Sequence, residues 1–158
     1  MFITSIVTEQ CIVVKVTHEK STTSAPAPLW RRAVAEFLGA GLLVTVVVGS
    51  GIAAQRLSPD DVGLQLLENS LATALGLTVL ILIFQPVSGA HLNPVVTLAD
   101  RFLGTRHAPS EIVVYLVAQV TGGIGGAILA NLMFQAPTAV STTDRLSAGH
   151  LLREGVAT

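Results

Sequence analysis

Charged side chains are absent from three long stretches of the chain. Residues 37–55 run 19 positions without Asp, Glu, Lys or Arg, residues 69–99 run 31, and residues 112–143 run 32. Mostly apolar stretches of about 18 or more residues mark membrane spans. The pattern predicts spanning helices over about 33–55, 65–84 and 111–134, the second stopping before Pro86 and the third before Pro137. Between the first two, Ser58-Pro59-Asp60-Asp61 reads as a turn whose acids suit the opening of the next helix. The middle stretch does not fit one helix. A span takes about 20 residues at 1.5 Å each and two take about 40, and 31 falls between. Its excess, residues 85–99, is broken at Pro86 and Gly89 and can restart at Asn93-Pro94. Irregular backbone at membrane depth is tolerated where protein buries it or where it lines a wet cavity. A re-entrant loop followed by a half-helix over about 93–102 is therefore expected.

Composition narrows the class. Of 158 residues 51% are hydrophobic and 12% charged, against about 25% charged in an ordinary soluble domain. Mean hydropathy is +0.67. This is the profile of an all-α integral membrane protein, and it excludes a soluble enzyme, a nucleic-acid binder and a disordered chain. The formal net charge of −1 gives no pull towards nucleic acid, and the single Cys11 cannot form an intramolecular disulfide. Lys15, Lys20, Arg31 and Arg32 precede the first span; the connector sets Arg56 against Asp60, Asp61 and Glu68; Arg101 and Arg106 follow the second. That bias favours a cytoplasmic N-terminus. Residues 1–29, which end in a Ser/Thr/Ala/Pro linker, are expected to form a disordered cytoplasmic tail.

The polar residues inside the apolar stretches carry the candidate chemistry. Asn93 is a good helix cap and Pro94 a good first helical residue. In an apolar setting an Asn carboxamide and the imidazole of His91 are costly without partners or water. A half-helix starting near mid-membrane aims the positive end of its dipole at the bilayer centre, and extended residues before it would expose successive carbonyls. A donor, a row of acceptors and a cation-repelling field are the parts of a pore for small neutral solutes. No Cys, Asp or second His stands at ligand spacing from His91, so no metal site is expected, and no cofactor. No nucleophile–base pair, paired carboxylates or phosphate loop points to an enzyme, and Gly122-Gly123-Ile124-Gly125-Gly126 reads as packing glycine. Ala118, Gly122, Gly126 and Ala130 put small residues at every fourth position of the third span, which lets helix backbones approach closely.

Three segments resemble the aquaporin (major intrinsic protein) family: Ala35-Glu36-Phe37-Leu38-Gly39, Ser88-Gly89-Ala90-His91-Leu92-Asn93-Pro94-Val95-Val96-Thr97, and Ala118-Gln119-Val120-Thr121-Gly122-Gly123. The resemblance implies an aquaporin-like helical bundle. Its first inverted repeat, three transmembrane helices plus the half-helix, would occupy residues 30–134, followed by an extracytoplasmic loop at 135–150 and the start of a fourth helix at 151–158. It implies that Asn93 donates N–H groups to a passing solute and that the carbonyls of Gly89, Ala90 and His91 accept from it. It also implies that Glu36 and Gln119 tie down the loop backbone. The partners expected are the lipid bilayer and small neutral solutes, and the family's full-length members form homotetramers.

Departures from the family pattern carry information too. Val95 stands where the motif usually has Ala, in the contact with the opposing half-helix. Thr73, 20 residues before Asn93, stands where an outer constriction usually has an aromatic. A Thr there suggests a wider, more polar filter, favouring glycerol-like solutes or metalloid acids over strict water selectivity. One Asn-Pro loop is present, whereas the family's pore takes two, so the chain is expected to be a truncated half that conducts little alone. The competing expectation is a non-conducting multi-span protein that packs or scaffolds through its glycine stripes. It leaves Asn93 and His91 without a purpose. An ion-coupled transporter is weaker still, because such proteins usually carry midplane Asp, Glu or Lys and residues 69–99 have none.

Overall fold

The computed structural model describes residues 27–103 and 108–137, and every described element is α-helical. Three long apolar helices, α1 (Leu29–Leu57), α2 (Val62–Ser88) and α4 (Pro109–Met133), have the length and composition to cross a membrane. The short α3 (Pro94–Phe102) follows α2 after a five-residue loop. With the apolar composition, this defines an integral, multi-pass membrane protein. The tail over residues 1–26 and the segment from 138 to the end, including the expected fourth-helix start, lie outside the described residues.

The polar punctuation works where the local chemistry is strong. Asp61 caps α2, its side chain accepting from the Leu64 N–H at 2.9 Å. Asn93 caps α3, Oδ1 accepting from the Val95 N–H at 2.8 Å with Pro94 in the first helical position. Two expectations change. Helix α1 begins at Leu29 and so includes Arg31 and Arg32. Helix α2 runs through Pro86 to Ser88 instead of stopping before the proline. Pro86 lacks the N–H that would bond Leu82, but so close to the helix end this removes a single bond. The helix then closes at Gly89, left-handed at φ 89°, whose N–H donates to the Gln85 carbonyl at 3.1 Å.

Contacts between helices define their directions. Asn69 on α2 reaches the Val47 carbonyl, Gly76 faces Val46, and Gly39 faces Phe84, so α1 and α2 are antiparallel. Arg32 pairs with Glu111, Phe37 abuts Gly122, Gly41 abuts Gly126, and Arg56 reaches the Phe134 carbonyl, so α1 and α4 are parallel. Up, down, up is the order that short connections between three spans demand. A Cβ added to Gly122 or Gly126 would overlap the carbonyl oxygen of Phe37 or Gly41 respectively. Thr45 crosses the same seam, its hydroxyl within hydrogen-bond distance of its own helix at the Gly41 carbonyl (2.9 Å) and of the Gly126 carbonyl (3.1 Å). Side chains as large as Leu are as apolar as the surrounding lipid, so close backbone approach and polar bonds are what hold such helices together.

Candidate functional site

The loop between α2 and α3 is held by one buried carboxylate. Glu36, on the inward face of α1 and without solvent exposure, accepts four hydrogen bonds. Oε1 takes the Ser88 hydroxyl at 2.6 Å and the His91 N–H at 3.1 Å. Oε2 takes the Leu92 N–H and the Gln119 amide, both at 2.7 Å. The Ser88 hydroxyl accepts in turn from the Ala90 N–H at 3.2 Å. A carboxylate is well suited here, because two oxygens can take about four donors and charge strengthens each bond.

The other side of the loop is fastened from α4. The Gln119 amide also donates to the Thr97 hydroxyl of α3 at 2.9 Å, joining three helices through one side chain. Tyr115, one turn earlier on the same face, donates its hydroxyl to the Ser88 carbonyl at 2.8 Å. The Tyr115 ring meets the edge of the His91 imidazole, centroids 5.5 Å apart at 71°. Arg32 lies over the Tyr115 ring, 5.8 Å from its centroid, and pairs with Glu111.

Between these anchors the loop departs at three residues from the extended backbone expected. Gly89, Ala90 and Leu92 all have positive φ, 89°, 52° and 52°. Non-glycine residues in that region cost on the order of 1–3 kcal/mol each and persist only where the surroundings over-determine them. Here they do: the N–H groups of Ala90, His91 and Leu92 are all committed inward, to Ser88 and Glu36. Among the described residues no hydrogen bond reaches the carbonyls of Gly89 or Ala90.

The sequence-derived residues divide into those joined by this network and those outside it. Glu36, Ser88, Ala90, His91, Asn93 and Gln119 belong to one cluster with Thr97 and Tyr115, while Pro94 opens α3 beside it. Asn93 is exposed, with Oδ1 occupied by the Val95 N–H; Val95 is 46% exposed. Thr73 is half-buried on α2, donating to the Asn69 side chain at 3.3 Å. It lies 15 residues before Ser88, about 22 Å along the helix, and takes no part in the network. On α4 the buried row is Tyr115, Gln119, Gly122, Gly126 and Ala130, with Ala118 beside it and only half-buried. Sequence reasoning passed over Tyr115. The available signal was its position four residues before Gln119, hence on the same helix face.

A bundle of apolar spans that returns a capped half-helix towards a buried carboxylate defines a class of membrane proteins built around a re-entrant loop. The sequence profile of the major intrinsic protein family matches residues 22–157. The chain belongs to the major intrinsic protein family, whose members are membrane channels and not enzymes. It is 48% identical over 130 residues to the aquaglyceroporin AqpS of Rhizobium meliloti, covering 82% of this chain and 55% of that protein. It is 34% identical over 137 residues to the probable aquaporin TIP5-1 of Oryza sativa, covering 83% and 50%. To the glycerol uptake facilitator of Pseudomonas aeruginosa it is 34% identical over 116 residues, covering 73% and 40%. The chain spans about half the length of the curated relatives it matches.

Proposed function

We propose that this chain supplies one repeat of a pore for the passive passage of small neutral solutes, with glycerol-like molecules or metalloid acids preferred over strict water selectivity. The observation that carries the reading is the direction of the loop's hydrogen bonds. Three successive N–H groups are spent on Glu36 and Ser88, and in this reading the carbonyls of Gly89, Ala90 and His91 are the acceptor side of a solute path. Asn93 spends its oxygen on the cap, and its amide N–H groups serve as the donor. A solute with hydroxyls can use both kinds of group, while a cation meets the positive end of α3. A protein that only scaffolds has no use for a buried carboxylate engaged in four bonds to shape an exposed Asn.

Thr73 sets the wider, more polar constriction in this reading, and the relatives named for glycerol and propanediol uptake agree with that preference. The N-terminal side faces the cytoplasm, in keeping with the Lys and Arg bias, and α1 starts on the same side as α4. A pore of this kind takes two Asn-Pro loops and the sequence holds one, so the path is shared with a second repeat. Assembly into homotetramers would follow for the whole pore.

A chimera tests the proposal: residues 30–134 replace the matching repeat of the Rhizobium relative, and swelling of proteoliposomes is followed in glycerol and in osmotic water gradients. Glycerol swelling well above empty vesicles is expected, lost at least about tenfold in Asn93→Ala, which removes the donor. A folded chimera that swells no faster than empty vesicles sinks the proposal.

A further inference from the structure

Both ring nitrogens of His91 face polar side chains, and one of the two comes from a residue the channel reading does not use. Nδ1 lies 3.1 Å from the Thr97 hydroxyl. Nε2 lies 3.7 Å from Oδ2 of Asp100, one turn further along α3. Tyr115 closes off a third side of the ring. Thr97 is 1% exposed and has one proton to give, with two acceptors in range, the imidazole and the Asn93 carbonyl at 3.2 Å. The Gln119 amide already donates to it. Two arrangements are possible: Thr97 donates to Nδ1 and the proton sits on Nε2, or Nδ1–H donates to Thr97 and Thr97 donates to Asn93. Asp100 decides between them. A carboxylate oxygen 3.7 Å from Nε2 attracts an N–H there and repels a lone pair. The Asn93 carbonyl meanwhile has the Thr97 backbone N–H at 3.1 Å and can do without the hydroxyl.

The position of Asp100 supports the same assignment. It is the first charged residue after the 31-residue apolar stretch and sits in the last turns of α3. A negative side chain there opposes the helix dipole, where a cation would be favoured. The Asp100 carboxylate nonetheless faces the loop, 3.7 Å from His91 Nε2. We infer that Asp100 is a positioning residue that fixes His91 as the Nε2–H tautomer, with Thr97 donating to Nδ1. Both ring nitrogens then face polar groups of the protein, which turns the imidazole away from the solute path of the channel reading. This consequence for solute rests on the channel reading; the tautomer itself does not.

The test is nitrogen NMR on the full chain, ring-labelled at histidine, in lipid nanodiscs at pH 8. His91→Asn identifies the His91 signals among the four histidines. The expected spectrum shows His91 Nδ1 unprotonated and Nε2 protonated, with the other tautomer undetected. Asp100→Ala raises the Nδ1–H form several-fold, and Asp100→Asn, which keeps an acceptor oxygen without the charge, raises it less. An Nδ1–H or doubly protonated His91 in the wild type overturns the inference, as does an Asp100→Ala spectrum that superimposes on it. If Asp100→Ala does not fold, Asp100→Asn decides, and an unchanged spectrum overturns it. None of these readouts depends on conduction, so failure of the channel reading would be seen separately in the swelling assay.

Discussion

The seam between α1 and α4 solves one problem in two ways. Towards the start of both helices it is polar: Glu36 and Gln119 meet at 2.7 Å and engage the loop and α3 as well. Further along it is bare backbone, Gly122 against Phe37 and Gly126 against Gly41, with Thr45 bridging. Both stretches bring parallel helices close without help from a hydrophobic force, which lipid does not supply. They differ in what they can be asked to hold. Glycine contacts satisfy only the two helices, whereas a carboxylate with spare acceptor capacity can shape a third element. The stretch that looks more costly for the membrane is the one that builds the site.

Substitutions should separate the two stretches. The largest effect is expected at Glu36. Glu36→Ala leaves two backbone N–H groups, a hydroxyl and an amide without their acceptor, and at about 1–3 kcal/mol for each stranded group the loss should reach at least about 4 kcal/mol. Unfolding in mixed detergent measures that loss, and exchange of the His91 and Leu92 amides should rise to near unprotected rates. Gly126→Val drives a side chain into the Gly41 carbonyl and should cost about 2–3 kcal/mol, within the usual range for overpacking. The His91 and Leu92 amides should stay protected in that variant, since it does not touch the loop. Equal loss of loop protection in both variants would collapse the distinction. Gln119→Leu should cost less than either: removal of two hydrogen bonds should amount to about 1–2 kcal/mol and free α3, while Glu36 still holds Leu92. The smallest effect should come from Gly125→Ala. A Cβ there meets nothing within 4 Å, and relief of glycine's entropy should stabilise the helix by about 0.5 kcal/mol.

Much of this was readable beforehand, for identifiable reasons. Three charge-free stretches located the spans because membrane insertion penalises charge wherever it falls. Asn93-Pro94 located the start of α3 because capping is a local hydrogen bond between neighbours in sequence. The helix ends were harder. Arg31, Arg32 and Pro86 look like stops, yet charges are tolerated at the membrane interface and a proline near a helix end removes only one bond. The left-handed residues were invisible, since Ala90 and Leu92 carry no local preference for positive φ; the conformation is imposed by Glu36, more than 50 residues away. Tyr115 and Asp100 were passed over for a related reason. Their partners lie on other segments, and no spacing rule links Tyr115 to Ser88 or Asp100 to a histidine nine residues earlier.

The four bonds to Glu36 also impose an order in time. The carboxylate is synthesised 52 residues before Ser88 and 83 before Gln119. At 5–20 residues per second it waits roughly 3–10 s for its first donor and longer for its last. It stands seven residues into α1, about 10 Å from the helix start. The first helix is therefore made before any partner of its carboxylate, and the four bonds are complete only once the third helix has been made. Assembly of the site is a delayed event, timed by its most distant bond.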